Sequence, residues 1–273
     1  MWAPRVGSIG ETAVFRLHRP PPPTRILITG ASSGLGAALA EGYAARGVSL
    51  VLSARNAARL ETVAARCRRA GAAVEATVLD VTDREATAAW VRAADTAAPL
   101  DLVIANAGIS AGTGGGEEPE EQTRDIFAVN LAGVLNTVQP VLPAFRRRGR
   151  GQIALMASLA GFRGFPGAPA YCASKAAVKV WGESLRGWLA ADGVRVSVIC
   201  PGYVRTPMTA VNRFPMPFLM DADRAVRIIQ RGLARNRGRI AFPRPLAFGA
   251  WLASALPDAM TDRLTRRLPR KGG

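Results

Sequence analysis

The chain has 273 residues and a mass of 28.8 kDa, with 49% hydrophobic and 21% charged residues. This length and composition are typical of one large globular domain and exclude a disordered or low-complexity protein. Three cysteines and a single histidine, His18, exclude a disulfide scaffold and argue against structural zinc or a histidine base. No uninterrupted apolar run reaches the roughly 18 residues that indicate a transmembrane helix.

The chain is strongly basic, with 36 Lys and Arg against 20 Asp and Glu and a formal net charge of +16 at pH 7. The surplus is concentrated in residues 222–273, which hold twelve basic and three acidic side chains. Such a surplus is compatible with nucleic acid, an anionic membrane surface or phosphate-bearing ligands, while an arginine-rich proteome is an alternative explanation for much of it. No recognisable nucleic-acid-binding module accompanies it, so we expect no nucleic-acid partner.

Residues 1–23 show no clear period and end in Pro20–Pro23, which predicts a flexible Pro-rich leader. From Thr24 onward, short apolar runs alternate with helical patterns. Strands are predicted at Arg25–Thr29, Val48–Ser53, Ala73–Leu79, Leu100–Ala105, Gln152–Ala157, Val194–Ile199 and Arg239–Phe242. Helices are predicted at Gly34–Arg46, Ala57–Ala70, Arg84–Ala97, about Glu120–Arg147, Ala170–Ala190 and Asp221–Arg235. This alternation predicts a single doubly wound α/β domain, with a central parallel sheet of about seven strands and helices on both faces.

A glycine-rich segment joins the first predicted strand to the first predicted helix. Glycines at such a turn let the backbone approach a pyrophosphate, whose negative charge the helix N-terminus favours. The context is the one that a dinucleotide site requires, although the spacing is GxxxGxG rather than GxGxxG. We therefore expect cofactor contacts from Gly30, Ser32, Ser33, Gly34, Leu35 and Gly36.

Further landmarks follow in chain order: Asn106-Ala107-Gly108, Asn130, Ser158, Tyr171 with Lys175, and Pro201-Gly202 with Val204 and Thr206. Together with the glycine segment, they resemble the classical short-chain dehydrogenase/reductase family over roughly Arg25–Met208. The resemblance implies a Rossmann-type domain. It also implies an oxidoreductase that interconverts a hydroxyl and a carbonyl group by hydride transfer. The rival hypothesis is a non-catalytic nucleotide-sensing or interaction protein on the same fold.

The resemblance assigns a catalytic set of Asn130, Ser158, Tyr171 and Lys175. Tyr171 and Lys175 are four residues apart and therefore share one helix face. An ammonium and a nicotinamide charge beside a phenol are expected to lower its pKa from about 10. In the family the tyrosine exchanges a proton with the substrate oxygen, the serine polarises the carbonyl, and the asparagine holds a water linked to the lysine. Taken singly, each residue could instead be an ordinary packing or capping residue.

Cofactor choice depends on the end of the second strand. NAD sites place a carboxylate there, whereas this chain has Arg55 and no carboxylate before Glu61. An arginine can pair with a 2′-phosphate, so we expect NADP, with NAD as the second choice. The alternative is that Arg55 stacks on adenine or faces solvent. The resemblance adds cofactor contacts from Asp80, Val81, Asn106, Ala107, Gly108, Tyr171, Lys175, Pro201, Gly202, Val204 and Thr206, with helix capping as the alternative for Asp80. No metal is expected.

Residues 24–210 are thus expected to form the dinucleotide-binding and catalytic core, and 211–273 a substrate lid, a last strand and a basic tail of the same domain. The lid indicates a hydrophobic substrate through Phe214, Met216, Phe218, Leu219 and Met220. The apolar stretch Leu246–Leu256 is too short to span a bilayer. We expect it to close the pocket or a subunit contact; the alternative is that it lies on a membrane surface.

Assembly and location rest on the family resemblance. It implies a homodimer or homotetramer formed through the helices that begin near Glu120 and Ala170. The expected location is cytoplasmic, with contact to a membrane as the alternative.

Overall fold

The computed structural model describes residues 21–113, 116–212, 214–257 and 259–261. Its centre is one seven-stranded parallel sheet with the strand order β3-β2-β1-β4-β5-β6-β7. The strands are β1 (Arg25–Thr29), β2 (Ser49–Ala54), β3 (Ala73–Val78), β4 (Leu102–Ala105), β5 (Gln152–Met156), β6 (Arg195–Pro201) and β7 (Arg239–Phe242). The predicted doubly wound α/β fold is confirmed.

Ten α-helices surround this sheet in the described residues. They are α1 (Gly34–Tyr43), α2 (Ala57–Arg69), α3 (Arg84–Ala97), α4 (Glu120–Phe127), α5 (Gly133–Val138), α6 (Leu142–Arg148), α7 (Pro169–Leu189), α8 (Pro207–Ala210), α9 (Ala222–Ala234) and α10 (Arg244–Ala255). A short 3₁₀ turn, Leu159–Gly161, follows β5.

The core has two layers because successive strand residues point to opposite faces of the sheet. Ile26 and Ile28 of β1 are buried on one face with side chains of α1, α2 and α9. Leu27, between them, is buried on the other face with side chains of α3, α5 and α7. Both faces are therefore covered, as the continuous apolar runs of the strands predict.

The element ends and one long helix differ from the sequence prediction. Helix α1 ends at Tyr43, three residues early, because Ala44 takes an extended conformation. The predicted helix from Glu120 is interrupted by a π-helical turn, Ala128–Ala132, and by a 3₁₀ turn before α6. The π turn carries Asn130, and such turns often occur at functional sites.

By length and composition alone, the helical stretch Glu120–Arg148 is long and apolar enough to cross a membrane. Half of its most apolar window is buried inside the fold, which is a property of a core helix. The predicted leader lies outside the described residues except for positions 21–23, as do the last residues of the basic tail.

Candidate active site

A cleft of about 1010 Å³ lies at the carboxyl ends of the strands. The strand order reverses direction between β1 and β4, and ligands of doubly wound sheets bind at such a switch point. Every residue predicted to contact the cofactor lines this cleft, and so does Ser158. The topology thus brings together residues that lie as far apart in sequence as Gly30 and Thr206.

The glycine segment forms one wall of the cleft, and a side chain would not fit at two of its glycines. Gly30 has a φ of 67°, and a Cβ at this position would lie 2.8 Å from the Cα of Ala107. A Cβ on Gly36 would collide with the carbonyl oxygen of Gly30. The first turn of α1 therefore lies directly against the loop after β4, and its N-terminus provides the partial positive charge that a phosphate requires.

The β4 loop is tied to β1 by hydrogen bonds around Asn106. The Asn106 amide donates to the carbonyl oxygens of Thr29 and Gly30, at 3.0 and 3.3 Å. The Thr29 hydroxyl accepts from the backbone N–H groups of Asn106 and Ala107, at 3.1 and 3.2 Å. Asn106 thus holds the loop after β4 against the loop after β1, and both loops line the cleft.

Tyr171 and Ser158 meet in the cleft, although they lie on different elements. Tyr171 is in the first turn of α7, and Ser158 precedes the 3₁₀ turn after β5. Their side chains are hydrogen-bonded. The Ser158 hydroxyl also accepts from the N–H of Ala160 at 3.1 Å, so it caps the 3₁₀ turn at the same time. The capping and catalytic interpretations of Ser158 are therefore compatible.

Lys175 lies one helical turn beyond Tyr171 and is only 3% exposed. Its Nζ donates to the carbonyl oxygen of Met156 at 2.8 Å and lies 5.8 Å from the centre of the Tyr171 ring. Burial lowers the pKa of Lys175 to about 8. The lysine is therefore held by the end of β5 and pointed at the tyrosine.

The expected lowering of the tyrosine pKa does not occur in the protein by itself. Burial raises the pKa of Tyr171 above its ordinary value, against the lowering effect of the hydrogen bond with Ser158. The free-energy cost of removing a phenolate from water exceeds the stabilisation that the hydrogen bond with Ser158 gives it. The phenol is thus a proton donor in the protein alone, and a positive charge brought by a ligand would shift it toward the phenolate.

Asn130 is fully buried beneath the cleft and does not line it. Its Oδ1 accepts from the N–H of Ile109 at 2.8 Å, and its Nδ2 donates to the Ile109 carbonyl at 2.9 Å and to the Ser174 hydroxyl at 3.1 Å. The side chain therefore clamps the β4 loop to α7, beside Gly108 and Lys175. Its water-holding role remains a prediction.

Arg55 and Asp80 face each other at the other end of the cleft. Their closest charged atoms, Arg55 Nη1 and Asp80 Oδ2, are 3.7 Å apart, and the arginine side chain is 63% exposed. Burial raises the pKa of Asp80, but hydrogen bonds from Thr82 and the charge of Arg55 hold it below its usual value. The pair lies where the ends of β2 and β3 adjoin, and Arg55 remains accessible to an anion.

The lid prediction was partly wrong. Of its five apolar side chains, only Phe214 lines the cleft. Met220 instead enters the core because a β-bridge to Val204 turns it inward, and Phe218 is 57% exposed. Pro215 and Pro217, which the lid prediction did not include, line the cleft in their place.

Other lining residues were also missed. Asn56 and Arg59 also line the cleft: Arg55 and Asn56 immediately precede α2, and Arg59 lies in its first turn. The signal available in the sequence was a second arginine close to Arg55, at the start of the predicted helix. One face of α10 lines the opposite side through Leu246, Gly249, Ala250 and Ala253. The interpretation of this stretch as closing the pocket therefore holds for that face of the helix.

Metal ligation has no candidate in the part of the chain that the structure describes, since no group of three His, Cys, Asp or Glu side chains could hold an ion there.

The comparisons with known proteins agree with this geometry. The family model for short chain dehydrogenase matches residues 24–215. An uncharacterized oxidoreductase of Myxococcus xanthus is 43% identical over 243 residues, covering 89% of this chain and 96% of that protein. The chain belongs to the short-chain dehydrogenase/reductase family and is an oxidoreductase of that family.

Two solved structures are similar along most of the chain. A short-chain dehydrogenase from Sphingobium yanoikuyae in complex with NADPH has a TM-score of 0.76 and 31% identity, covering 90% of this chain and 96% of that one. A bulky-bulky ketone specific alcohol dehydrogenase from Comamonas testosteroni has a TM-score of 0.74 and 26% identity, covering 90% of this chain and 95% of that one.

Proposed function

We propose that this protein is an NADP(H)-dependent oxidoreductase that interconverts an alcohol and a ketone or aldehyde on a hydrophobic small molecule. The observation that carries the proposal is the meeting of Tyr171, Ser158 and Lys175 at one wall of a cleft whose other end holds Arg55. A cleft of about 1010 Å³ has room for a dinucleotide together with a small substrate.

Three residues of the chain have separate roles in the proposed carbonyl reduction. Ser158 donates a hydrogen bond to the carbonyl oxygen and so stabilises the negative charge that develops there. Tyr171 donates its proton to the same oxygen, and its raised pKa keeps that proton in place beforehand. Lys175 stabilises the phenolate that results, since its Nζ lies over the phenol ring. The nicotinamide cofactor supplies the hydride when it is bound.

The preference for NADP(H) rests on the charge at the end of β2. Arg55 is exposed into the cleft, and Arg59, in the first turn of α2, lines the same cleft. Two guanidinium groups favour a 2′-phosphate and cannot accept a hydrogen bond from the 2′-hydroxyl of NAD. The NADPH complex of the Sphingobium relative supports this choice.

The substrate end of the cleft supports a hydrophobic compound. It is lined by Phe165, Tyr203, Phe214 and Leu246, with small side chains at Ala250 and Ala253. Large apolar surfaces beside small ones accommodate a bulky substituent and exclude water. The ketone specificity named for the Comamonas relative is in keeping with such a site.

The cofactor preference is tested by reversing the charge at residue 55. Arg55→Asp should weaken NADPH binding by roughly tenfold to a hundredfold, because a charge-assisted hydrogen bond contributes about 1.5–3 kcal/mol. NADH binding should change little or improve. Arg69→Asp, at an exposed arginine of α2 outside the cleft, is the matched control for net charge. A wild-type protein that prefers NADH in titration calorimetry would overturn the preference.

The alternative, a nucleotide-sensing protein without turnover, also requires the cleft but makes no use of a phenol beside a buried lysine. The arrangement of Tyr171, Ser158 and Lys175 favours catalysis. NADPH binding without turnover of any ketone, aldehyde or alcohol, unchanged by Tyr171→Phe, would favour the alternative instead.

A further inference from the structure

Helix α10 is apolar on both of its faces, yet it packs against the core only through the partly buried Leu246, Ala247 and Ala250. Leu246, Gly249, Ala250 and Ala253 lie at i, i+3, i+4 and i+7 and line the cleft. Phe248, Trp251 and Leu252 occupy the opposite face and are 63%, 51% and 43% exposed. No residue of the helix is buried. A helix that is hydrophobic all round normally needs a covering partner.

Further exposed apolar side chains lie on the segment around α8, which forms another wall of the same cleft. The segment around α8 lines the same cleft through Pro207, Phe214 and Pro217. It also exposes Met208, Val211 and Phe218 to solvent, at 39%, 66% and 57%. Apolar surfaces of this kind mark interaction sites in soluble proteins. Both walls of the cleft mouth therefore carry apolar side chains on the outside.

The charges that accompany this surface favour an anionic partner over a second copy of the chain. Arg244, exposed, begins α10. Beyond Thr261 the sequence adds five basic residues and one acidic residue before its end. In a two-fold contact, each copy would bring its own basic residues against those of the other, within a protein of net charge +16. Anionic lipid headgroups neutralise the same charges.

We propose that the outer face of α10, with Phe248 and Trp251 as its anchors, docks on an anionic lipid bilayer and places the cleft mouth at the membrane surface. Phe248 and Trp251 are in ring contact, with centroids 5.8 Å apart, and form one aromatic unit. Indole and phenyl rings on an exposed helix face, with Arg244 at the start of the same helix, are suited to the boundary between headgroups and acyl chains. A hydrophobic substrate dissolved in the bilayer would then reach the cleft directly; this last consequence rests on the proposed function.

The test is co-sedimentation of the full-length protein with phosphatidylcholine vesicles that contain phosphatidylglycerol. Binding is expected at low salt and should weaken as salt shortens the Debye length from about 10 Å at 0.1 M to about 3 Å at 1 M. Pure phosphatidylcholine vesicles should bind much less. Trp251→Ser and Phe248→Ser should each weaken binding by about tenfold, since each removes one large buried apolar side chain.

Trp188→Ser is the matched control, because Trp188 is 57% exposed on α7. It should leave vesicle binding unchanged. Trp251→Phe keeps the apolar surface but removes the indole, so it should retain binding and lose quenching of tryptophan fluorescence by brominated lipids. NADPH binding checks whether the serine variants are folded. If one of them is not, Trp251→Phe still tests whether residue 251 contacts the bilayer.

Three results would overturn the proposal. They are no binding of the wild type to anionic vesicles at low salt, equal binding by Trp251→Ser, and a lower oligomeric state of the Phe248→Ser/Trp251→Ser variant in light scattering without vesicle binding. The last would assign the face to a second copy. None of these measurements uses turnover, so failure here is distinct from failure of the proposed function on a water-soluble ketone.

Discussion

At the scale of single residues, burial determines the ionisation of the site. Lys175 and Tyr171 are both withdrawn from water, and burial disfavours the charged form of each. The i,i+4 spacing predicted that these residues meet. It did not predict their ionisation, because that depends on burial by the surrounding elements and, for Tyr171, on the hydrogen bond with Ser158.

The buried lysine makes stability depend on pH. Its pKa is about 8 in the folded protein and 10.5 in the unfolded chain, so the unfolded state binds more protons between these values. Its contribution to stability therefore rises with pH across this window. The unfolding free energy of the wild type minus that of Lys175→Met should therefore rise by about 1–3 kcal/mol from pH 8 to pH 10.

Urea unfolding at several pH values measures this difference. Lys179→Met, at a lysine paired with Glu183 on the same helix, controls for loss of a positive charge. A difference between wild type and Lys175→Met that stays flat with pH would contradict the account of the buried ammonium.

At the scale of elements, the start of α7 is held from outside the helix. Its N-cap residue Ala168 makes no side-chain cap, and Pro169 follows at the first position. Glu118, from the loop before α4, accepts from the N–H of Ala170 at 3.0 Å. The carboxylate thus caps the helix that carries Tyr171, and it interacts favourably with the helix dipole.

Removing this cap should destabilise the protein and displace the tyrosine. Glu118→Ala is expected to lower the free energy of unfolding by about 1 kcal/mol and to reduce turnover. Glu118→Gln keeps an acceptor oxygen and should retain most of both. Glu117→Ala changes the exposed neighbouring carboxylate and is the control. Equal urea midpoints for Glu118→Ala and Glu117→Ala would show that the cap contributes nothing.

Elements with strong local signals were the ones that the sequence predicted well. β1 and β7 have the predicted bounds, because short apolar runs flanked by polar residues or turns define both ends. The π turn at Ala128–Ala132 left no such signal. Its Asn130 is hydrogen-bonded to Ile109 and Ser174, which lie elsewhere in the chain. The lid prediction was wrong for Met220 for a similar reason, because its bridge partner, Val204, lies outside the predicted lid.

At the scale of the whole molecule, the cleft is built from nearly every strand end. Segments after β1, β2, β3, β4, β5 and β6 line it, and α10 closes one side. A ligand that fills the cleft therefore binds the folded chain and not the unfolded one, and it stabilises the domain as a whole.

NADPH should accordingly raise the melting temperature by several degrees, since a ligand at a hundred times its Kd contributes about 2.7 kcal/mol. NADH at the same concentration should raise it less. Differential scanning fluorimetry measures both shifts. Equal shifts with the two cofactors would count against the role given to Arg55.

The central claim, that Tyr171 is the proton donor in an NADPH-dependent reduction, is tested most directly by following NADPH absorbance with a set of hydrophobic ketones. The wild type should oxidise NADPH, and Tyr171→Phe should lose at least about a hundredfold in turnover while binding NADPH nearly as well. Tyr43→Phe, at a tyrosine outside the cleft, should keep wild-type rates. Turnover by Tyr171→Phe within a few-fold of the wild type on the best substrate would contradict the account.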